Sequence, residues 1–398
     1  NYAGNSNTNL SDASFATVAG GWHNLASGRA ASVGGGDNNQ ATTGAATVAG
    51  GWDNQATGTA ATIGGGGMNT ASASRATIGG GEANDATADA ATVGGGWNNA
   101  ATAKLATIGG GLNHDATDEY ATIAGGSENL AGNANESSTD AEYATVGGGF
   151  ENRANGRQAT VAGGADNTAG YRAAVGGGLT NTASGKYGTV PGGYLNTASG
   201  DYALAAGQQA TASHEGTFVW SDSSPYPFGS TKNRQFSARA TGGVRFVLSV
   251  DDVAGTPTWA CSASGGSSWS CTSDRRLKED LVLADGTQVL ERLAELPVYY
   301  WSAIGDDSRH LGPMAQDFWA AFELGEGDTS LATIDLDGVA LAGIQGLHQR
   351  LQQKELLIDQ QQDQLAVQEA KIEALEARLA ALETMVAAAV QDEKGGLR

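Results

Sequence analysis

The chain is poor in most of what a compact globule needs. Its 398 residues include only 8 Phe, 8 Trp, 10 Tyr, 6 Pro and 2 Cys, against 60 Gly. Glycine has no side chain to bury and loses the most conformational freedom on folding. A Gly-rich half with so few bulky side chains therefore repeats or associates, and does not close around a bulky core. Basic residues are scarce too: 22 Lys and Arg face 43 Asp and Glu, a formal charge of −21. That balance favours solubility, and the lack of a basic stripe argues against a nucleic-acid partner. There is no run of about 18 apolar residues, so no membrane-spanning segment is expected. Asn1 follows neither an initiator Met nor a charged and apolar leader, which is compatible with a removed signal or anchor. The Gly-Gly-Gly runs lack the Gly-Lys-Ser/Thr end of a phosphate loop, and His310 and His348 are too isolated for a metal site. No cofactor and no metal are expected.

The two cysteines, Cys261 and Cys271, flank a short Ser- and Gly-rich stretch. The spacing suggests a bridged hairpin in an oxidising compartment, worth roughly 2 to 3 kcal/mol in the chain-entropy model, with two unpaired thiols as the alternative.

What is abundant is a repeat. Val18, Val33, Val48, Ile63, Ile78, Val93, Ile108 and Ile123 end Ala-Thr/Ser-Val/Ile triplets at a strict spacing of 15. After a longer interval the pattern resumes at Val146, Val161, Val175 and Val190 and fades at Ala205, about thirteen coils in all. Six positions after the apolar residue stands an Asn (Asn24, Asn39, Asn54), and two further on an Ala. Fixed spacing stacks like on like, as in a solenoid. Gly-Gly supplies a corner, Asn is expected to take turn geometry and ladder its amide to the next coil, and the triplet is strand-like. Each coil should hold two short strands at most. With an interior of little besides Val, Ile and Ala, one thin coil lacks a second layer, and threefold association is the economical remedy.

The Ala-Thr-Val-Gly-Gly-Gly-x-x-Asn-x-Ala-x-Gly pattern resembles the left-handed parallel β-roll heads of trimeric autotransporter adhesins over roughly residues 12 to 212. Those heads more often use a shorter coil, and their membrane anchor has no counterpart here. The resemblance implies an extracellular, trimeric, adhesive fibre.

Two features of the repeat carry functional expectations. Four residues after the apolar position stands a variable and often large residue, among them Trp22, Trp52, Trp97, Phe150 and Tyr194. Behind Gly-Gly it is expected at an outward corner, where ring faces could stack on the sugars of a cell-surface glycan or host ligand. The plainer reading is that the rings shield Gly-rich corners or pack between subunits. Eight extra residues between Ile123 and Val146 predict a loop on one face. Glu136, Asp140 and Glu142 within it have the oxygen donors of a Ca²⁺ site, but a solvated loop is the expectation.

Over residues 213–272 the period is lost. Thr217–Asp222 and Gln235–Leu248 are aromatic and β-branched with Gly turns and read as strands and hairpins. Phe218, Trp220, Phe236, Phe246 and Val247 are candidates for an apolar plug over the solenoid's open end.

Ser273 and Lys278 form a candidate Ser-Lys dyad. Serine is a poor nucleophile until a base takes its proton, and lysine serves only when burial or like charge, here Arg275 and Arg276, strips its own. On a regular helix residues five apart are about 140° out of line, so the pair needs a bend or extended backbone. From these residues alone the alternative is a helix start, with Ser273 as N-cap and an Asp274–Lys278 pair at i, i+4.

The ordered set Ser273–Asp280, Val289–Trp301, His310–Phe318 and Ile334–Leu341, followed by a heptad helix, resembles the intramolecular chaperone domain of endosialidase tail spikes and related phage and bacterial fibres. In that family the domain trimerises, drives folding of the fibre before it, and cuts itself off just before the motif serine. The resemblance implies cleavage between Thr272 and Ser273, with Ser273 as nucleophile and Lys278 as general base. Leu351, Ile358, Leu365, Ile372, Leu379 and Val386 recur every seven residues. Their partner positions hold Lys354, Gln361 and Gln368 before Leu375 and Leu382, a polar seam that weakens the assembly while setting its register.

The expected architecture is therefore mainly β: a homotrimeric parallel β-roll of about 15-residue coils over 1–212 and a β-hairpin adaptor over 213–272. An α+β chaperone domain over 273–345 and a trimeric coiled coil over 346–390 complete it. The expected function is a trimeric extracellular or virion fibre carrying a single-turnover autoprotease. The alternatives are an uncut fibre with a permanent C-terminal clamp, and a glycan-binding or glycan-degrading spike, for which no carboxylate pair stands out.

Overall fold

The computed structural model describes residues 1–4, 13–135, 137–264 and 268–395, with side chains up to 391. The chain divides into two compact units, Asn1–Thr272 and Ser273–Arg398.

The first unit is a parallel β-solenoid. Two short strands recur in each coil, and equivalent strands stack into sheets of 15 and 16 members. Thr47–Val48 pairs in register with Ser32–Val33 before it and Thr62–Ile63 after it. Gln40–Ala41 does the same between Leu25–Ala26 and Gln55–Ala56. The triplet explains this: alternate side chains point to opposite faces, so Ala46 and Val48 go inward, fully buried, while Thr47 lies half-buried between them.

A third rung runs along the Gly-Gly corner. Trp22, Asp37, Trp52, Gly67, Glu82 and Trp97 bridge in parallel, and the column continues to Tyr194. The expected two short strands per coil are therefore joined by a column of one-residue bridges. A one-residue backbone bridge is indifferent to its side chain, so a position that varies from Trp to Gly left no pattern to find. Gly51 shows why the corner is glycine: its φ is +95°, and a Cβ there would lie 1.9 Å from the Gly66 carbonyl oxygen.

Asparagine does not take the turn geometry expected of it. The left-handed residue is the one before it, Asn38 at φ 55°, Asp53 at 55° or Met68 at 52°. The Asn side chain is instead part of the core, fully buried at Asn39 and Asn54. The argument from a thin core also fails. Val33, Val48, Ile63 and Ile78 are 0 % exposed in a single chain, so each coil closes over its own interior without a second layer.

The stack runs past the point where the period fades. Phe218–Ser221 pairs in parallel with Leu204–Gln208, and Phe236–Arg239 with Phe218–Ser221. Phe228–Gly229 joins the other sheet, so the segment read as hairpins extends the solenoid instead. Its strands lengthen to four residues and the turns change length, which erases the spacing without altering the ladder. Nor do the aromatics form an internal plug. Phe218 and Phe236 stack at 5.0 Å but, like Trp220, Phe246 and Val247, are exposed. The end is tied by Arg239, whose Nε donates to Asp222 at 3.0 Å and whose Nη2 donates to the Ser221 hydroxyl and the Ser224 carbonyl at 2.6 and 2.8 Å. Thr241 donates to the same carboxylate from Oγ1 and from its N–H, and these bonds hold the Asp222 pKa far below the usual carboxylate range. Antiparallel pairing begins only with Val244–Val250, Pro257–Ala263 and Ser270–Cys271, where Cys261 and Cys271 face each other and are disulfide-bonded.

In the second unit α1 (Gly286–Glu295) starts on Asp285, whose side chain accepts the N–H groups of Thr287 and Gln288. The strands Tyr299–Trp301 and His310–Gly312 then form a hairpin, followed by α2 (Ala315–Phe322) and α3 (Thr333–Gly395). Glycine lets α1 approach α3, since a Cβ on Gly346 would meet the Gly286 carbonyl oxygen at 2.0 Å. Beyond this contact the apolar heptad positions are bare: Leu351, Ile358, Leu365 and Ile372 are all more than half exposed. A long helix with such an uncovered seam needs partner helices. Among the described residues no helix is long and apolar enough to cross a membrane.

Candidate functional site

The second unit opens with a single 3-10 turn, Arg275–Leu277. Its N-cap is Asp274, whose carboxylate accepts the Arg276 N–H at 2.9 Å, and not Ser273 as the helix-start reading expected. Asp274 is also not paired with Lys278. It holds the Arg276 guanidinium at 2.6 Å, and that hydrogen bond, the largest cause, lowers its pKa to about 2. The turn ends on Lys278 in an extended conformation, φ −125° and ψ 140°. This is the bend that residues five apart require. It brings Lys278 Nζ to 2.6 Å from Ser273 Oγ, to which it donates.

Thr272, the last residue of the first unit, is fastened to its own sheet. Its N–H and hydroxyl donate to the Ala260 carbonyl at 2.9 and 3.2 Å, and its hydroxyl accepts the Ala260 N–H at 3.1 Å. Ser273 and Lys278 are both exposed on one chain, and Arg276, one of the two arginines expected to depress the lysine, is neutralised by Asp274.

The solenoid's other candidates are placed differently. Trp22, Trp52, Trp97, Phe150 and Tyr194 share the third rung, facing outward with 66, 48, 50, 45 and 41 % of their surface exposed. In the insertion Asp140 accepts from the Asn133 and Asn135 side chains at 2.8 Å each, and Glu142 pairs with Arg157 at 3.0 Å. Glu136 lies outside the described residues, among which no cluster could hold a metal ion.

Sequence reasoning missed two residues. Asp118 is fully buried, and its carboxylate accepts the N–H groups of Asn133 and Ala141 at 3.0 Å, pinning both ends of the insertion. His114 replaces Asn in the buried column. It falls six positions after Ile108, so the spacing itself marks it as the exception.

Fold and site together define a β-solenoid fibre segment followed by a helical module with a Ser-Lys pair at its first residues. Residues 273–324 match the family described as Chaperone of endosialidase (Peptidase_S74). The chain thus carries an endosialidase-type chaperone domain, a kind of domain that acts in trimers, behind a β-solenoid. No curated protein matches the chain.

Proposed function

We propose that this protein is a trimeric extracellular fibre, adhesive through its solenoid, whose C-terminal unit is an intramolecular chaperone released by self-cleavage between Thr272 and Ser273. The observation that carries the reading is the 2.6 Å hydrogen bond between Lys278 Nζ and Ser273 Oγ at the first residues of the second unit. Lys278, once neutral, takes the Ser273 hydroxyl proton while Oγ attacks the Thr272 carbonyl carbon. The C–N bond breaks, the proton passes to the Ser273 amine, and an ester links Thr272 to Oγ. Water hydrolyses the ester, leaving a Thr272 carboxylate and the restored hydroxyl. Both side chains are exposed on one chain, so on this reading cutting awaits assembly, when neighbouring subunits cover the pair.

The test is intact-mass analysis of the expressed chain beside Ser273→Ala and Lys278→Ala. The expected result is a parent split into a fragment ending at Thr272 and one starting at Ser273, with both variants whole. A parent that stays whole as a native trimer supports instead the uncut fibre with a permanent clamp, a reading with which the bare heptad seam of α3 agrees equally. The outward aromatic column supports adhesion to a glycan, and polysaccharide cleavage by the parent would overturn the non-enzymatic reading of the fibre.

A further inference from the structure

The solenoid has a second outward column, at the corner occupied by the left-handed residues Tyr120, Tyr143, Gln158, Arg172, Tyr187 and Tyr202. Backbone bonds stack it coil on coil, with the N–H groups of Arg172, Tyr187 and Tyr202 donating to the carbonyls of Arg157, Tyr171 and Lys186. The few cations of the solenoid collect here. Arg29, Arg75, Lys104, Arg157, Arg172 and Lys186 occupy this corner, and of the Lys and Arg in residues 1–212 only Arg153 lies elsewhere.

Two of these cations, Arg172 and Lys186, lie against a shared pair of tyrosine rings. Arg75 and Arg157 are neutralised by Asp89 and Glu142. Arg172 is not: its Nε donates to the Gln158 side-chain oxygen at 2.9 Å and its Nη1 to the Tyr187 hydroxyl at 2.7 Å, with no carboxylate on it among the described residues. Its guanidinium carbon lies 5.2 Å from the Tyr171 ring centre and 5.6 Å from that of Tyr187. Lys186 Nζ lies 5.5 and 5.4 Å from the same two rings. Tyr187 stacks on Tyr202 at 5.1 Å, and Tyr202 is 60 % exposed. In a chain of net charge −21, these two adjacent cations are held against aromatic rings, and among the described residues neither side chain forms an ion pair, although Asp201 accepts the Lys186 backbone N–H at 3.0 Å.

We infer that this corner, between Gln158 and Tyr202, binds a carboxylate-bearing glycan of the uronate class. Arg172 and Lys186 take the carboxylate, through charge-assisted hydrogen bonds that need no rearrangement of the guanidinium. The exposed face of Tyr202 takes the apolar face of a neighbouring sugar ring. Both corners carry carboxylates, but the Trp22 to Tyr194 column holds no Lys or Arg, so an anionic sugar discriminates between the two corners. This site belongs to the fibre and does not depend on self-cleavage.

The experiment is calorimetric titration of the full chain with an oligogalacturonate, a neutral galacto-oligosaccharide and a sulfated oligosaccharide of equal length. The expected result is binding of the uronate, with the neutral sugar about ten-fold or more weaker, and a loss of about ten-fold or more in Arg172→Gln/Lys186→Gln and in Tyr202→Ala. Arg75→Gln, at the same corner but already paired, leaves binding unchanged. These surface variants keep the parent's circular dichroism. The inference is overturned if the parent does not bind the uronate at millimolar concentration, or if the double variant binds like the parent. Equal binding of the neutral sugar, or tighter binding of the sulfated one, also overturns it. So does a double variant with an altered native mass, which would make the corner a contact between copies.

Discussion

The Nδ1 atom of His114 accepts the backbone N–H of Asn129 at 3.1 Å, in a slot that neighbouring coils fill with asparagine. At Asn39 that slot is fully served: Nδ2 donates to the carbonyls of Gly35 and Gly51 at 2.9 and 2.7 Å, while Oδ1 accepts the Asn54 N–H at 3.1 Å. His114 reproduces the acceptor, but its buried Nε2 makes no well-formed hydrogen bond among the described residues and has only the Gly126 backbone to favour its proton. An unsatisfied buried polar atom costs about 1–3 kcal/mol. His114→Asn is expected to stabilise the solenoid by about 1–2 kcal/mol, read as a raised denaturation midpoint.

The same residue gives the fold an acid-sensitive coil. Protonation would put a hydrogen on Nδ1 against the Asn129 N–H. Burial, the largest cause, already lowers the pKa of His114, while the Gly126 backbone and the Asp115 carboxylate pull it up. A depressed folded pKa means that the unfolded chain binds the extra proton more readily. This contribution to stability is present above about pH 6.5, the ordinary histidine value, and is lost as the pH falls through it. Asp115, exposed at the surface but partly desolvated by the chain around it, has its pKa raised, so its effect has the opposite sign and falls lower, in the carboxylate range. Thermal melts of the parent are expected to weaken between about pH 7 and 5 more than those of His114→Asn.

How much of this was legible depends on what each position leaves in the sequence. Val18 to Ile123 announced the solenoid because that rung holds Val or Ile in every coil, and the Asn column because its amide serves three partners. Asp118 left no such trace. Its role exists only because residues inserted far along the chain fold back onto it, and a lone Asp in a polar stretch looks solvated. The contact of Lys278 with Ser273 was a question of backbone shape: the residue types suggested it, but a 3-10 turn had to supply the bend. The rungs at Phe218 and Phe236 were hidden because periodicity records coil length, not hydrogen bonding.

Asp118 gives a local prediction. Asp118→Asn turns one acceptor into a donor facing the N–H of Asn133 or Ala141. The ladder itself should survive, since Thr122 and Ile123 pair directly with Thr145 and Val146 across the insertion. Amide exchange at residues 133–141 is expected to rise about ten-fold while the flanking rungs keep their protection.

Gly51→Ala tests the corner. The new Cβ would strike the backbone of the next coil and would require a left-handed conformation that alanine disfavours. A loss of about 2–4 kcal/mol is expected, read by chemical denaturation. Gly44, where an added Cβ meets little and φ is ordinary, is the control: Gly44→Ala should be neutral or slightly stabilising.

The last prediction concerns letting go. If the chaperone is released as proposed, a trimer seam built only of Leu and Ile would be stronger than release needs, and α3 places Gln361 and Gln368 where the heptad calls for apolar residues. Burying such amides between helices costs stability unless they bond one another, and it restricts the register in which they can. Gln361→Leu/Gln368→Leu is expected to raise the melting temperature of the isolated 273–398 trimer and to slow its dissociation on dilution. Cleavage in the full chain should stay at the parent rate, because the variant still assembles and its Ser273–Lys278 contact is untouched. Sedimentation and intact-mass time courses on the same samples separate the two effects. If the double variant instead falls to monomers, or cuts more slowly in proportion to its added stability, then the polar seam serves the cut itself and not the release that follows it.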